Sequence, residues 1–67
     1  MGDHENSLHR ADELVSESRR LVQQQKGLIV RLRAAGADTS NAQLTLQLLE
    51  RNLKRFEAYR DLLKAKN

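Results

Sequence analysis

Apolar residues between positions 8 and 35 recur every three or four places, stop at Gly36 and resume at Ala42. That spacing lines up apolar side chains on one face of a 3.6-residue helix. The break at Gly36 therefore predicts two long amphipathic helices joined by a short turn, an antiparallel helical hairpin. No proline interrupts either segment, so the strongest helix breaker is absent from both.

Residues 1–6 are polar and are expected to fray. Ser7 is a suitable N-cap, and the first helix is expected over 7–35. Its seam reads Leu8, Ala11, Val15, Ser18, Val22, Gln25, Ile29, Leu32, with a second row, Leu14, Leu21, Leu28 and Ala35, beside it. Gly36 ends the helix because glycine enters the left-handed conformation without a side-chain clash. The turn spans 36–39. Asp38, Thr39 and Ser40 are all competent caps; Thr39 is preferred, and Ser40 with Gln43 would form a capping box. The second helix is expected over 40–65. Its seam reads Ala42, Leu46, Leu49, Leu53, Phe56, Arg60, Leu63, and its flanking row holds Leu48, Tyr59 and Leu62, interrupted by Asn52 and Arg55.

Folding the second helix back on the first pairs Leu32 with Ala42, Ile29 with Leu46, Val22 with Leu53, Ser18 with Phe56 and Ala11 with Leu63. Small residues face large ones in three of these pairs, as interdigitation requires. Two helices side by side hide only one narrow seam each. Leu14, Leu21, Leu28, Leu48 and Leu62 would then stay in water, and a long exposed leucine row usually marks an interface. The expected fold is all-α, a two-helix hairpin that pairs with a second copy as a homodimeric four-helix bundle. Docking on a different protein is the other way to cover the same rows.

A chain of 67 residues is one small domain that has difficulty burying enough apolar surface alone. There is no cysteine, which excludes disulfides and thiolate metal sites and leaves association as the remedy. His4 and His9 are five apart and do not stack as an i,i+4 metal pair would, so neither metal nor cofactor is expected. No nucleophile–base arrangement, glycine-rich phosphate loop or carboxylate pair within the apolar stripe suggests an enzyme. No run of 18 apolar residues exists, and the first six residues form no apolar leader or myristoylation signal. The default expectation is a cytoplasmic protein without a membrane segment.

The turn Gly36-Ala37-Asp38-Thr39, preceded by Leu-Ile-Val-Arg-Leu-Arg at 28–33 and followed by a leucine-rich helix, resembles small proteobacterial helical-hairpin proteins over about residues 10–63. The resemblance implies a bacterial hairpin and supplies no activity. In size and layout the chain also resembles the Rop family of RNA-binding hairpin dimers. That likeness is architectural and carries no residue roles over.

Residues 18–35 hold Arg19, Arg20, Lys26, Arg31 and Arg33 and no acid, whereas residues 1–17 hold Asp3, Glu5, Asp12, Glu13 and Glu17 against Arg10. These five cations form a candidate anion-binding surface for nucleic acid. The same gradient complements the helix dipole, at about 0.3–1 kcal/mol per charge. Scarcity of aromatic residues to stack on bases makes the dipole reading stronger. Among polar seam residues, Gln25 and Asn52 fit a device that fixes register, and Arg60 fits a rim position with its stem over Phe56. Gly27 falls opposite the seam and should weaken the helix by about 1 kcal/mol relative to alanine. The expected function is a non-enzymatic protein–protein interaction or assembly module. The alternative is a nucleic-acid binder using the basic surface.

Overall fold

The computed structural model describes the backbone of residues 2–66 and the side chains of residues 5–66. Two helices account for nearly all of it: α1, Gly2–Ala34, and α2, Ser40–Ala65. They pack antiparallel into a rod measuring 53 × 13 × 12 Å, close to the roughly 50 Å that 33 residues rising 1.5 Å each would span.

The start of α1 corrects the sequence reading. Residues 2–6 are helical and Ser7 lies inside the helix, half-buried, so it is not the N-cap. Nothing in this stretch breaks a helix, and Glu5 is an acid near the N-terminus, where the dipole favours negative charge. The remaining residue of the expected frayed segment, Met1, lies outside the described residues.

The far end of α1 is closed by a Schellman motif. Gly36 sits at φ 72°. Its N–H donates to the Arg33 carbonyl at 3.0 Å, and the Ala37 N–H donates to the Leu32 carbonyl at 2.9 Å. Two otherwise orphaned carbonyls are thereby satisfied. Thr39 occupies the N-cap position of α2 but its side chain makes no capping hydrogen bond. Asp38 does the work instead. Its Oδ1 accepts from the Ser40 N–H at 2.9 Å and from the Ser40 hydroxyl at 2.7 Å. These bonds, the backbone one foremost, hold the Asp38 carboxyl below its ordinary pKa. The capping box of Ser40 with Gln43 does not form: Gln43 Nε2 donates back to Thr39 Oγ1 at 2.9 Å.

The seam of α1 is the core. Ala11, Val15, Val22 and Ile29 are buried, with Ser18 among them and Leu63 opposite on α2. Leu8, Gln25 and Leu32 on α1, and Ala42, Leu46, Leu49, Leu53, Phe56 and Arg60 on α2, are half-buried. Val22 and Leu53, partners in the expected pairing, line one groove, and Arg19 meets Glu57 beside them at 3.2 Å. Towards the turn, Gln25 Nε2 donates to the Ala42 carbonyl at 2.9 Å. Arg60 keeps only 19% of its side chain exposed, with its guanidinium on Asp61 at 3.1 Å.

Candidate functional site: the two flanks of the hairpin seam

Each helix borders the seam with one row of side chains on either side. When two helices run antiparallel, like rows meet like rows, so the hairpin has two long flanks of different chemistry.

The first flank is polar. It collects Asp12, Arg19, Lys26 and Arg33 from α1, and Gln43, Glu50, Glu57 and Lys64 from α2. Arg19 Nη2 donates to Glu57 Oε2 at 3.2 Å, the one ion pair that crosses between helices among the described residues. A shallow groove runs here, floored by Val22 and Leu53 and walled by Arg19, Lys26, Glu50 and Glu57. Long cationic and anionic side chains cover the seam on this side.

The second flank is apolar. It collects Leu14, Leu21 and Leu28 from α1, and Leu48, Tyr59 and Leu62 from α2. Leu14 and Leu21 are each 37% exposed, Tyr59 46%, Leu62 55% and Leu48 56%. Leu28 is half-buried. All five leucines singled out from the sequence thus fall along one flank, and Tyr59, which the sequence reading put in the same row, joins them. Together these side chains offer exposed apolar surface on the order of 400–500 Å². Two further large apolar residues, Val30 and Leu44, are exposed on the outer sides of the two helices, away from this flank.

The five basic residues proposed from sequence do not share one surface. Arg19, Lys26 and Arg33 fall on the polar flank, where Arg19 is already paired. Arg20 and Arg31 lie about 100° or more around α1 from that row, and Arg20 contacts Glu17 at 2.7 Å. His9 lies 3.4 Å from Glu13, one turn away on the same helix. The side chain of His4 lies outside the described residues. Among the described residues no three His, Cys, Asp or Glu side chains converge in the manner of a metal site, and no helix is long and apolar enough to cross a membrane.

No family model matches the chain, and no curated relative or solved structure is significantly similar to it. The likeness to proteobacterial hairpin proteins and to the Rop family therefore rests on the helical-hairpin layout alone.

Proposed function

We propose that this chain is a non-enzymatic interaction and assembly module that works through its apolar flank, pairing with a second copy as a four-helix bundle. The exposed row of Leu14, Leu21, Leu48, Tyr59 and Leu62 carries this reading. An isolated hairpin leaves these side chains in water and fully buries only five apolar residues among those described, two of them valines and one an alanine. Small domains with so little core depend on a second chain, a metal or disulfides. A cysteine-free chain has the first remedy at hand in its own copies. The area is also of the right size. A standard interface takes about 800 Å² from each partner, a little over half of it apolar, which the flank can supply.

Replacing Leu21 and Leu28 by lysine tests the reading. The double variant is expected to sediment as a monomer with reduced helix content. If it keeps the mass and helicity of the parent, the flank is not an association surface.

Phosphate binding by Arg19, Arg20, Lys26, Arg31 and Arg33 draws less support, because these residues spread around α1 and two of them already meet carboxylates. It would reveal itself as binding whose affinity falls steeply with salt, with a log–log slope near −0.9 per phosphate contact on duplex DNA. Sub-micromolar RNA binding at about 150 mM salt would promote it over the assembly reading.

A further inference from the structure

A second copy can meet the apolar flank across a two-fold axis in two ways. An axis running along the rod lays α1 of each copy antiparallel on α2 of the other, with both turns at one end. An axis running across the rod lays α1 on α1 and α2 on α2, also antiparallel, with the turns at opposite ends. Either contact is isologous and stops at two copies. What separates them is which side chains of the flank each one stacks.

In an antiparallel pair the residue numbers of facing positions add to a constant. Arg19 and Glu57, 3.2 Å apart, fix it for this hairpin, and Val22 with Leu53 agrees to within one residue. Leu14 with Leu62, Leu21 with Arg55 and Leu28 with Leu48 share that constant. The apolar flank is therefore a ladder of three evenly spaced rungs, leucines at both ends and Leu21 with Arg55 between them. Both axes can stack leucine on leucine at the outer rungs, and they differ at the middle one. The axis across the rod does so only when it passes through the middle rung. It then sets Arg55 on Arg55 of the other copy, a like-charge contact, and brings Tyr59 to the height of Asn52. The axis along the rod preserves height, so each rung meets its own counterpart with the two helices exchanged. Leu14 lies on Leu62 of the other copy and Leu28 on Leu48. Arg55 lies on Leu21, where its stem covers the leucine and its guanidinium reaches water at the rim. Arg55 is exposed in the lone hairpin and joins none of the ion pairs among the described residues. Tyr59, 46% exposed, falls in height between Leu14 and Leu21 of the other copy.

We infer that the flank docks a second copy about a two-fold axis along the rod, α1 antiparallel on α2, with the two turns side by side. The inference rests on the assembly reading above but has a separate test. The chain has no cysteine, so single introduced thiols report which residues are neighbours. Ala37 in the turn and Glu5 near the start of α1 are both exposed. With the turns together, Ala37 lies near Ala37 of the other copy and Glu5 near Glu5. With the turns apart, Ala37 lies near Glu5, and the two Ala37 are separated by most of the 53 Å rod. A bismaleimide with a spacer of about 10 Å, comparable to the distance between packed helices, is expected to link A37C to itself. In a mixture of A37C and E5C it is expected to give the two like-with-like products, with the mixed product about tenfold scarcer; the three products are resolved by mass. A predominance of the A37C–E5C product, or no A37C–A37C link in a chain with the mass of a dimer, would overturn the orientation while leaving the assembly reading in place. A parent chain that sediments as a monomer would overturn both.

Discussion

The two flanks of this hairpin border the same seam and are built from the same helices, yet they present opposite surfaces to solvent. One is lined with Arg19, Lys26, Glu50 and Glu57, whose charged ends reach water while their stems cover Val22 and Leu53. The other presents leucines and one tyrosine, five of which the hairpin leaves 37–56% exposed. A solvated flank needs no partner. Its cross-helix ion pair at 3.2 Å involves side chains 57% and 33% exposed, and contacts of that kind contribute about 0–1 kcal/mol. An uncovered apolar flank costs solubility until it is buried, and its burial is worth roughly 25 cal/mol per Å². The difference shows how a chain with a small core can divide its perimeter, one side charged and the other apolar, the side that the proposed reading gives to assembly.

The largest expected effect tests that division directly. Leu14→Lys puts a charge on the apolar flank, and Arg19→Gln removes one from the polar flank. The first should lower the stability of the associated form by roughly 2–4 kcal/mol, from lost burial and a desolvated ammonium. The second should cost at most about 0.5 kcal/mol. Denaturant titration at fixed protein concentration measures both, and comparable losses would erase the distinction between the flanks.

Phe56 comes next. It is half-buried at the seam rather than enclosed, so Phe56→Ala should cost roughly 1.5–3 kcal/mol, below the 3–5 kcal/mol of a complete burial. A loss under about 0.5 kcal/mol would place the ring in water and contradict its position at the seam.

Gly27 lies on the outer side of α1, away from both the seam and the apolar flank. A Cβ built there meets nothing within 4 Å. Gly27→Ala should raise stability by about 0.5–1 kcal/mol through reduced backbone entropy. A loss of stability or a change in mass would show that a second chain approaches the backbone there.

The smallest expected effect concerns Asp38. Its folded pKa lies below the ordinary value of 3.8 because Ser40 bonds favour the carboxylate. The unfolded chain therefore takes up the proton more readily. The stabilising contribution is fully present above the unfolded pKa and disappears as pH falls through the lower folded value. Asp38→Ala should shift the melting temperature at pH 7 more than in acid, as the pH falls through the lowered folded value. Equal shifts in the two conditions would mean that the carboxylate does not cap α2.

Much of this fold is legible in the sequence, and the parts that are not have physical causes. The heptad spacing of both seams and the left-handed Gly36 define the two helices and their turn, because only glycine adopts that conformation without strain. The boundary at Ser7 misleads because a capping residue marks a helix start only where the chain before it is not helical, and residues 2–6 contain nothing that prevents helix. Apolar positions alternate every three and four residues, so a slide of about one turn would again set seam against seam; the groove shared by Val22 and Leu53 and the Arg19–Glu57 contact accord with the expected pairing. Of the candidate site, the leucine row is visible as excess apolar width. The contrast between flanks is not, because it depends on which rows an antiparallel partner brings together. Arg19 and Glu57, 38 residues apart, become one contact only after folding.

The central claim is that the apolar flank is covered by a second copy of the same chain. Sedimentation equilibrium of the unmodified chain, run from about 1 to 100 µM with helix content followed in parallel, tests it most directly. The account predicts a mass of twice 7.7 kDa at the upper concentrations, with helicity lost as the dimer dissociates on dilution. A well-folded monomer of 7.7 kDa throughout that range would contradict it.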